Sequence, residues 1–369
     1  MKRGETPDAP ITGPPDLGLR RRFFSIPTLV AYLVAIGVLA ITASQVFDVD
    51  WAEMWRGVRE TDPVKYLFAF LLYYLSFWFR GFRWTLIAKA AELDEQPGVR
   101  IPSPLTAAAI ILMGWFANAV AFARLGDAYR GWAFARESGA RFSSSLGTVL
   151  GERVQDMAVV LVLLLIAAAG LAATSGTTVP GWVIAVAIVL VASLLSLLVG
   201  MRVFGLRLAN RLPVRMQAAY ASFQTGALAG MRPRHLPLQV TLGAIAWLLE
   251  TARLFLVAQA VPLEVGVEIS IWAAMFAALA SAMLSTIPTP GGLGFVESGL
   301  AGVLILFGLR TEDALALTLV DRSISWFSII VIGGVLFFAW QIFRTGRHLR
   351  GRVPAIRAEP GGGVEGDGQ

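Results

Sequence analysis

The chain contains no cysteine and only two histidines, His235 and His348. Disulfides, thiolate zinc centres and iron-sulfur clusters are thereby excluded, and a histidine metal site has too few ligands to draw on. Neither a metal nor a cofactor is expected. Charge is scarce as well: 15% of the 369 residues are Asp, Glu, Lys or Arg, against roughly a quarter in soluble domains. The sequence also lacks a Gly-rich phosphate loop ending in Lys-Ser or Lys-Thr, so direct ATP hydrolysis is not expected.

What the chain has instead is apolar. Hydrophobic residues make up 56% of it and its mean hydropathy is +0.67, which marks an integral membrane protein. Apolar runs long enough to cross a bilayer, roughly 17 to 25 residues each, lie near 26–47, 64–88, 146–172, 180–201, 238–262 and 318–343. Two more, 103–123 and 269–307, are interrupted by Pro, Gly and charge. The expectation is an all-α polytopic protein with six full spans and two re-entrant or broken-helix hairpins. Residues 1–25 and 344–369, polar and rich in Pro, Gly or basic side chains, read as cytoplasmic tails flanking a membrane domain over 26–343. The first apolar run exceeds a signal-peptide core and is expected to be retained.

Two stretches of this domain are degenerate copies. Leu125-Gly126 falls on Leu293-Gly294, Gly139 on Gly308, Arg141 on Arg310, Glu152-Arg153 on Asp321-Arg322, and further upstream Arg83 on Arg253. The repeats run over about 64–172 and 238–343. Most Lys and Arg fall in segments that share one side if the N-terminus is cytoplasmic, and basic loops stay cytoplasmic. Both termini are then inside, the 64–88 span runs inward and its counterpart at 238–262 runs outward. The copies are expected to be inverted, as in carriers that bind substrate near mid-bilayer between repeats.

Charged residues inside these apolar regions are the candidate site, because a bare charge at the bilayer centre costs roughly 2.5–3.5 kcal/mol on insertion scales. In the second copy, Pro288, Pro290, Gly291, Gly292 and Gly294 force a helix break, and Glu297 follows in the first turn of a new helix whose amides could face a phosphate or carboxylate. The alternative is a Pro/Gly loop between ordinary spans. The first copy places Asn118, Arg124, Gly126, Asp127 and Arg130 at the matching position, with Arg124 and Asp127 spaced to pair on one face. These could meet a lipid phosphate or form a basic cluster at the headgroups. Glu152, Arg153 and Asp156 open the next helix, and Asp321 and Arg322 repeat the theme. They read as substrate or gating residues, or as structural ion pairs. Glu250 and Arg253, three apart in mid-span, read as a buried pair or a cavity contact. Arg80, Arg83 and Trp84 fit either the site or an interfacial anchor. The segments 48–62 and 202–234 read as surface-lying amphipathic helices, the latter on an anionic leaflet rather than on nucleic acid.

Taken together, RGFRW (Arg80–Trp84), Asn118 with RLGDAYR (Arg124–Arg130), GERVQD (Gly151–Asp156), PTPGGLGFVE (Pro288–Glu297) and the Asp321-Arg322 pair resemble, in order and spacing, a flippase-like integral membrane family. That family includes the membrane domain of bacterial lysylphosphatidylglycerol synthases, and the likeness covers about 26–343. It implies lipid translocation in a cytoplasmic (inner) membrane, with a separate lipid-modifying enzyme as a possible partner. One departure is Ala121-Phe122-Ala123 where the family leads us to expect a proline, so the first break should be less sharp than the second. Another is that no lysine-transferring domain follows Phe343, so aminoacyl transfer by this chain alone is not expected.

The leading expectation is a cofactor-free lipid flippase for a modified, aminoacylated or glycosylated, phospholipid or lipid-linked intermediate. Arg124, Arg153, Arg253 and Arg322 would neutralise a phosphate head, and Glu152, Asp156, Glu297 and Asp321 would meet cationic groups or balance the arginines. A membrane-embedded enzyme using Glu152, Asp156 or Glu297 as general acid or base is the alternative, with an accessory subunit of a synthase as a third reading.

Overall fold

The computed structural model describes residues 49–121, 125–176, 181–211, 213–264, 268–287 and 289–350, and among them every regular element is helical. The expected first span at 26–47 lies outside the described residues. A short helix α1 (Trp51–Arg59) leads into α2 (Pro63–Ala90), α3 (Pro104–Val120), α4 (Leu125–Ser138) and the long α5 (Phe142–Ser175). Helices α6 (Gly181–Ala209) and α7 (Val214–Ala229) follow, then α8 (Leu236–Ala260), α9 (Ile271–Leu284) and α10 (Phe295–Leu306). Last come α11 (Thr311–Arg322), two π-turns over Ser323–Phe327 and Ile329–Gly333, and α12 (Gly334–Arg350).

The helix starts obey local chemistry. Asp62 and Ser103 each accept backbone N–H bonds from the first turn and are each followed by a proline, whose missing N–H costs nothing at that position. Asp50 and Ser270 cap α1 and α9 in the same way.

Four helical stretches are long and apolar enough to cross a membrane: Phe142–Ser175, Ile184–Gly205, Leu236–Ala260 and Thr311–Ile342. They coincide with four of the six expected spans. The run at 64–88 does form a helix of 28 residues, but Lys65, Arg80, Arg83 and Lys89 interrupt its apolar surface. Its two inner arginines are answered by protein, since Arg80 and Arg83 are both buried. The two interrupted runs resolve into pairs of short helices, α3 with α4 and α9 with α10. At 1.5 Å per residue these extend only ~18 to ~26 Å, less than the ~30 Å hydrocarbon thickness.

Helices recur in the same order in both halves. A long helix (α2, α8) is followed by a short pair (α3–α4, α9–α10) and then by a long helix (α5, α11–α12), each packed on its predecessor. Gly139 and Gly308, matched in the sequence, end α4 and α10 with φ of +81° and +93°, a left-handed turn that only glycine adopts cheaply. Arg141 and Arg310, also matched, occupy the position just before the next helix in each half. Helices α2 and α8 pack against each other along the centre.

Small residues set the closest approaches. A Cβ on Gly226 of α7 would lie 2.2 Å from the Ser144 carbonyl of α5, and one on Gly147 would lie 2.1 Å from the Phe223 carbonyl. The Gly147-x3-Gly151 spacing therefore presents a backbone-close face to α7, the packing mode of small-xxx-small pairs. The expected surface helix within 202–234 thus has its C-terminal half buried against α5, with its N-terminal half exposed. The 48–62 segment, expected as a surface-lying helix, forms helix α1, with Trp51 and Trp55 exposed and Arg310 holding its Glu53 at 2.5 Å.

Candidate functional site: a charged cavity between the two halves

Three helices bring the first cluster together. Arg83 on α2 reaches Glu152 and Asp156 on α5, at 3.2 and 2.7 Å. Glu152 and Asp156 lie one turn apart on one face, so a single guanidinium spans both. Arg130 on α4 takes the other Glu152 oxygen at 2.5 Å and lies over the Trp84 ring at 4.7 Å. The site makes room through glycine: a Cβ on Gly243 of α8 would come within 2.3 Å of the Arg83 terminal nitrogen, and one on Gly114 within 2.3 Å of the Arg130 side chain.

The second cluster is centred on α8. Arg80 reaches Glu250 at 3.2 Å and is held between the faces of Trp115 and Trp247, 5.1 and 4.7 Å from the ring centroids. Arg253 pairs with Glu250 at 3.4 Å, with Asp321 of α11, and with the face of Tyr73. Trp247 joins the clusters, because its indole N–H donates to Asp156 at 3.2 Å while its face carries Arg80. A continuous chain of charge contacts therefore runs from Arg130 in the first half to Asp321 in the second. Its Arg83 and Glu152 side chains are 0% and 3% exposed, so Coulomb attraction acts there with little screening.

Two further pairs are wetter. Arg153 meets Asp127 at 2.7 Å with the side chains 21% and 23% exposed, and Arg322 meets Glu297 at 2.7 Å with 11% and 16% exposed. Each ties a long helix to the short helix that follows the break in its own half. The second break adjoins the end of α3, since Gly291 lies against Ala119. Between them opens a cavity of about 560 Å³, within the usual size of a small-molecule site. Arg153, Arg253 and Arg322 line it together with Asp127, Glu250 and Asp321, and Tyr73, Trp115, Trp247 and Trp326 supply aromatic walls.

The structure thus gathers the expected residues into two layers. Asn118, Asp127, Arg153, Glu250, Arg253, Asp321 and Arg322 line the cavity. Arg80, Arg83, Arg130, Glu152 and Asp156 form the buried layer behind it. Arg80 and Arg83 are not interfacial anchors, because both are enclosed by protein. Asp127 pairs with Arg153, and the expected Arg124 partner, like Pro288, lies outside the described residues. Glu297 does sit in the first turn of α10, but its carboxylate accepts from the Gly294 N–H at 2.7 Å, so the helix start already holds an anion of its own. Gly291, Gly292 and Gly294 have φ of +60°, +74° and +85°, and with Pro290 they make the expected break. Gly126 is not a break residue. It lies within α4, where a Cβ would come within 1.9 Å of the Gly114 carbonyl, and its N–H donates to the Asn118 side chain at 2.8 Å.

Sequence reasoning missed the aromatic walls and Thr289. Trp247 precedes Glu250 by three residues and Trp326 follows Arg322 by four, so helical spacing from each charge was the signal that could have found them. Among the described residues no three His, Asp or Glu side chains are placed to share a metal ion.

Known membrane proteins are similar to this chain. A UPF0104 membrane protein of Methanocaldococcus jannaschii is 30% identical over 227 residues, covering 60% of this chain and 93% of its own. A UPF0104 membrane protein of Methanothermobacter thermautotrophicus is 26% identical over 331 residues, covering 82% of this chain and 93% of its own. These relatives are archaeal. The family model described as the lysylphosphatidylglycerol synthase TM region matches residues 28–333, which take in both halves and every charged residue of the cavity. The chain is a multi-pass membrane protein and belongs to the family of the lysylphosphatidylglycerol synthase transmembrane region.

Proposed function

We propose that this protein is a cofactor-free lipid carrier, moving a modified phospholipid or lipid-linked intermediate between leaflets of a cytoplasmic membrane. The observation that carries the reading is the cavity at the junction of the halves, whose wall alternates three arginines with three carboxylates amid aromatic and apolar side chains. A headgroup carrying a phosphate and an amine, or a phosphate and hydroxyls, finds both complements there, while acyl chains stay in lipid. The repeated halves are read as inverted, with both termini cytoplasmic, so that the cavity can face either leaflet in turn.

The two layers divide the labour. The buried chain from Arg130 to Asp321 holds α2, α5, α8 and α11 in register, because separating such pairs leaves uncompensated charge in a dry interior. Arg153–Asp127 and Arg322–Glu297 are the exchangeable pairs. Being partly solvated, they give up less on opening, and a substrate phosphate can replace the carboxylate at either arginine while a substrate cation takes the released carboxylate. Arginine suits this task because its planar fork accepts phosphate and carboxylate oxygens alike.

Reconstitution into vesicles carrying fluorescent or aminoacylated phospholipid tests the proposal. Protein-dependent transbilayer movement is expected, reduced by Arg153→Ala or Arg322→Ala. Absence of movement above protein-free vesicles for anionic, amino- and glycolipids alike would remove the carrier reading.

A further inference from the structure

We infer that the second helix break contains a phosphate-oxygen subsite built from Trp326 and Thr289 beside Arg322, a deepening that rests on the carrier reading. All three side chains line the cavity. The Trp326 indole nitrogen and the Thr289 hydroxyl are each buried without a hydrogen-bond partner. Buried donors are rarely left unanswered, and an indole N–H can only donate. Arg322 lies over the Trp326 ring, 5.7 Å from its centroid, and one of its terminal nitrogens donates to the Gly291 carbonyl at 3.0 Å. The guanidinium is thus fixed against the break, next to two neutral donors. A cradle is also kept open by sequence: a Cβ on Gly291 would lie 2.3 Å from the indole nitrogen.

The first break differs. There the buried amide of Gly126 is already answered by Asn118. Among the described residues, unanswered neutral donors beside an arginine therefore mark the second break, and the ligand they complement is rich in acceptors and negative. Phosphate oxygens fit, because they combine charge with several lone pairs and strengthen every donor they meet. The phosphate can belong to a lipid diester or to a free ion, and the two are separable by probe.

Binding of dihexanoyl phosphatidylglycerol and, separately, of inorganic phosphate to the purified full-length protein in detergent tests the subsite. The variants are Trp326→Phe, which keeps the ring and removes its N–H, and Thr289→Val, which keeps the shape and removes the hydroxyl. Each is expected to weaken binding of the lipid by at least about tenfold, the effect of one hydrogen bond to a charged acceptor. Melting temperatures within a degree or two of the parent would show the variants folded, and Gly291→Ala, which crowds the indole, provides an independent third variant. Parent binding of the lipid with unchanged affinity in all three variants overturns the subsite and leaves the carrier reading standing. Variant-sensitive binding of inorganic phosphate, without binding of the lipid, supports the subsite but counts against a lipid cargo. Failure of the parent to bind either probe overturns the subsite, while the carrier reading stands or falls on the vesicle assay.

Discussion

The guanidinium of Arg322 lies 2.7 Å from the carboxylate of Glu297, the same separation at which Arg153 meets Asp127 in the other half. Each pair bridges the helix after a break to the long helix behind it, and the arginine of each lines the cavity. Neither pair is conspicuous in its half of the sequence, because its members are 25 or 26 residues apart.

Arg322→Ala and Arg153→Ala are expected to separate transport from stability. A partly solvated pair contributes about 1 kcal/mol or less, so the melting temperature in detergent should fall only slightly. Lipid translocation in vesicles should fall at least about tenfold, the loss of one strong charge-assisted contact. Equal transport by both variants and parent would show the pairs to be bystanders.

Arg83→Ala should behave oppositely. It strips Glu152 and Asp156 of their shared partner, and removal of one member of a buried ion cluster costs about 3–5 kcal/mol. Thermal unfolding and monodispersity after extraction measure this, and a variant as stable as the parent would refute the assigned scaffold role of the buried layer.

Gly226→Leu should separate α7 from α5. Its first side-chain atom would already meet the Ser144 carbonyl at 2.2 Å, and overpacking of this kind costs roughly 1–3 kcal/mol. The check is a lowered melting temperature together with faster hydrogen exchange across 214–229.

The absence of native cysteine allows single-cysteine mapping without background. Glu92 lies just beyond α2 and Glu264 just beyond α8, the helices matched between the two halves. With inverted halves, Glu264→Cys should react with an impermeant maleimide from outside intact cells and Glu92→Cys should not. Labelling of both from one side would show the halves to be parallel. Glu92 offers a control of its own, since Arg232 holds its carboxyl below the usual carboxylate range. A lowered folded-state value means that this contact favours the native state above the ordinary glutamate pKa and is lost as pH falls through the folded value.

The elements of this fold were largely legible before the structure. Long apolar runs gave α5, α6, α8 and α11–α12, and the Pro/Gly run gave the second break, since each signal is local in the chain. Glu152 and Asp156, like Glu250 and Arg253, could be placed on shared helix faces by spacing alone. Their partners could not: Arg83 and Glu152 are 69 residues apart and Arg80 and Glu250 are 170, so only tertiary packing selects them. Arg80 could have been read as a headgroup anchor, because its Trp neighbours at 115 and 247 arrive from other helices. Gly126 was misread for the same reason. A glycine beside a presumed break and a glycine admitting a neighbouring backbone look alike in one dimension.

The two π-turns after Arg322 set the halves apart. Helix α5 continues as a regular α-helix beyond Arg153, whereas the equivalent stretch beyond Arg322 is widened twice before Gly334. Wider turns carry poorer hydrogen-bond geometry and are found where a helix must alter its phase. Trp326 lies inside the first widened turn, so the cavity flank it supplies hangs on a stretch of altered phase that the first half lacks.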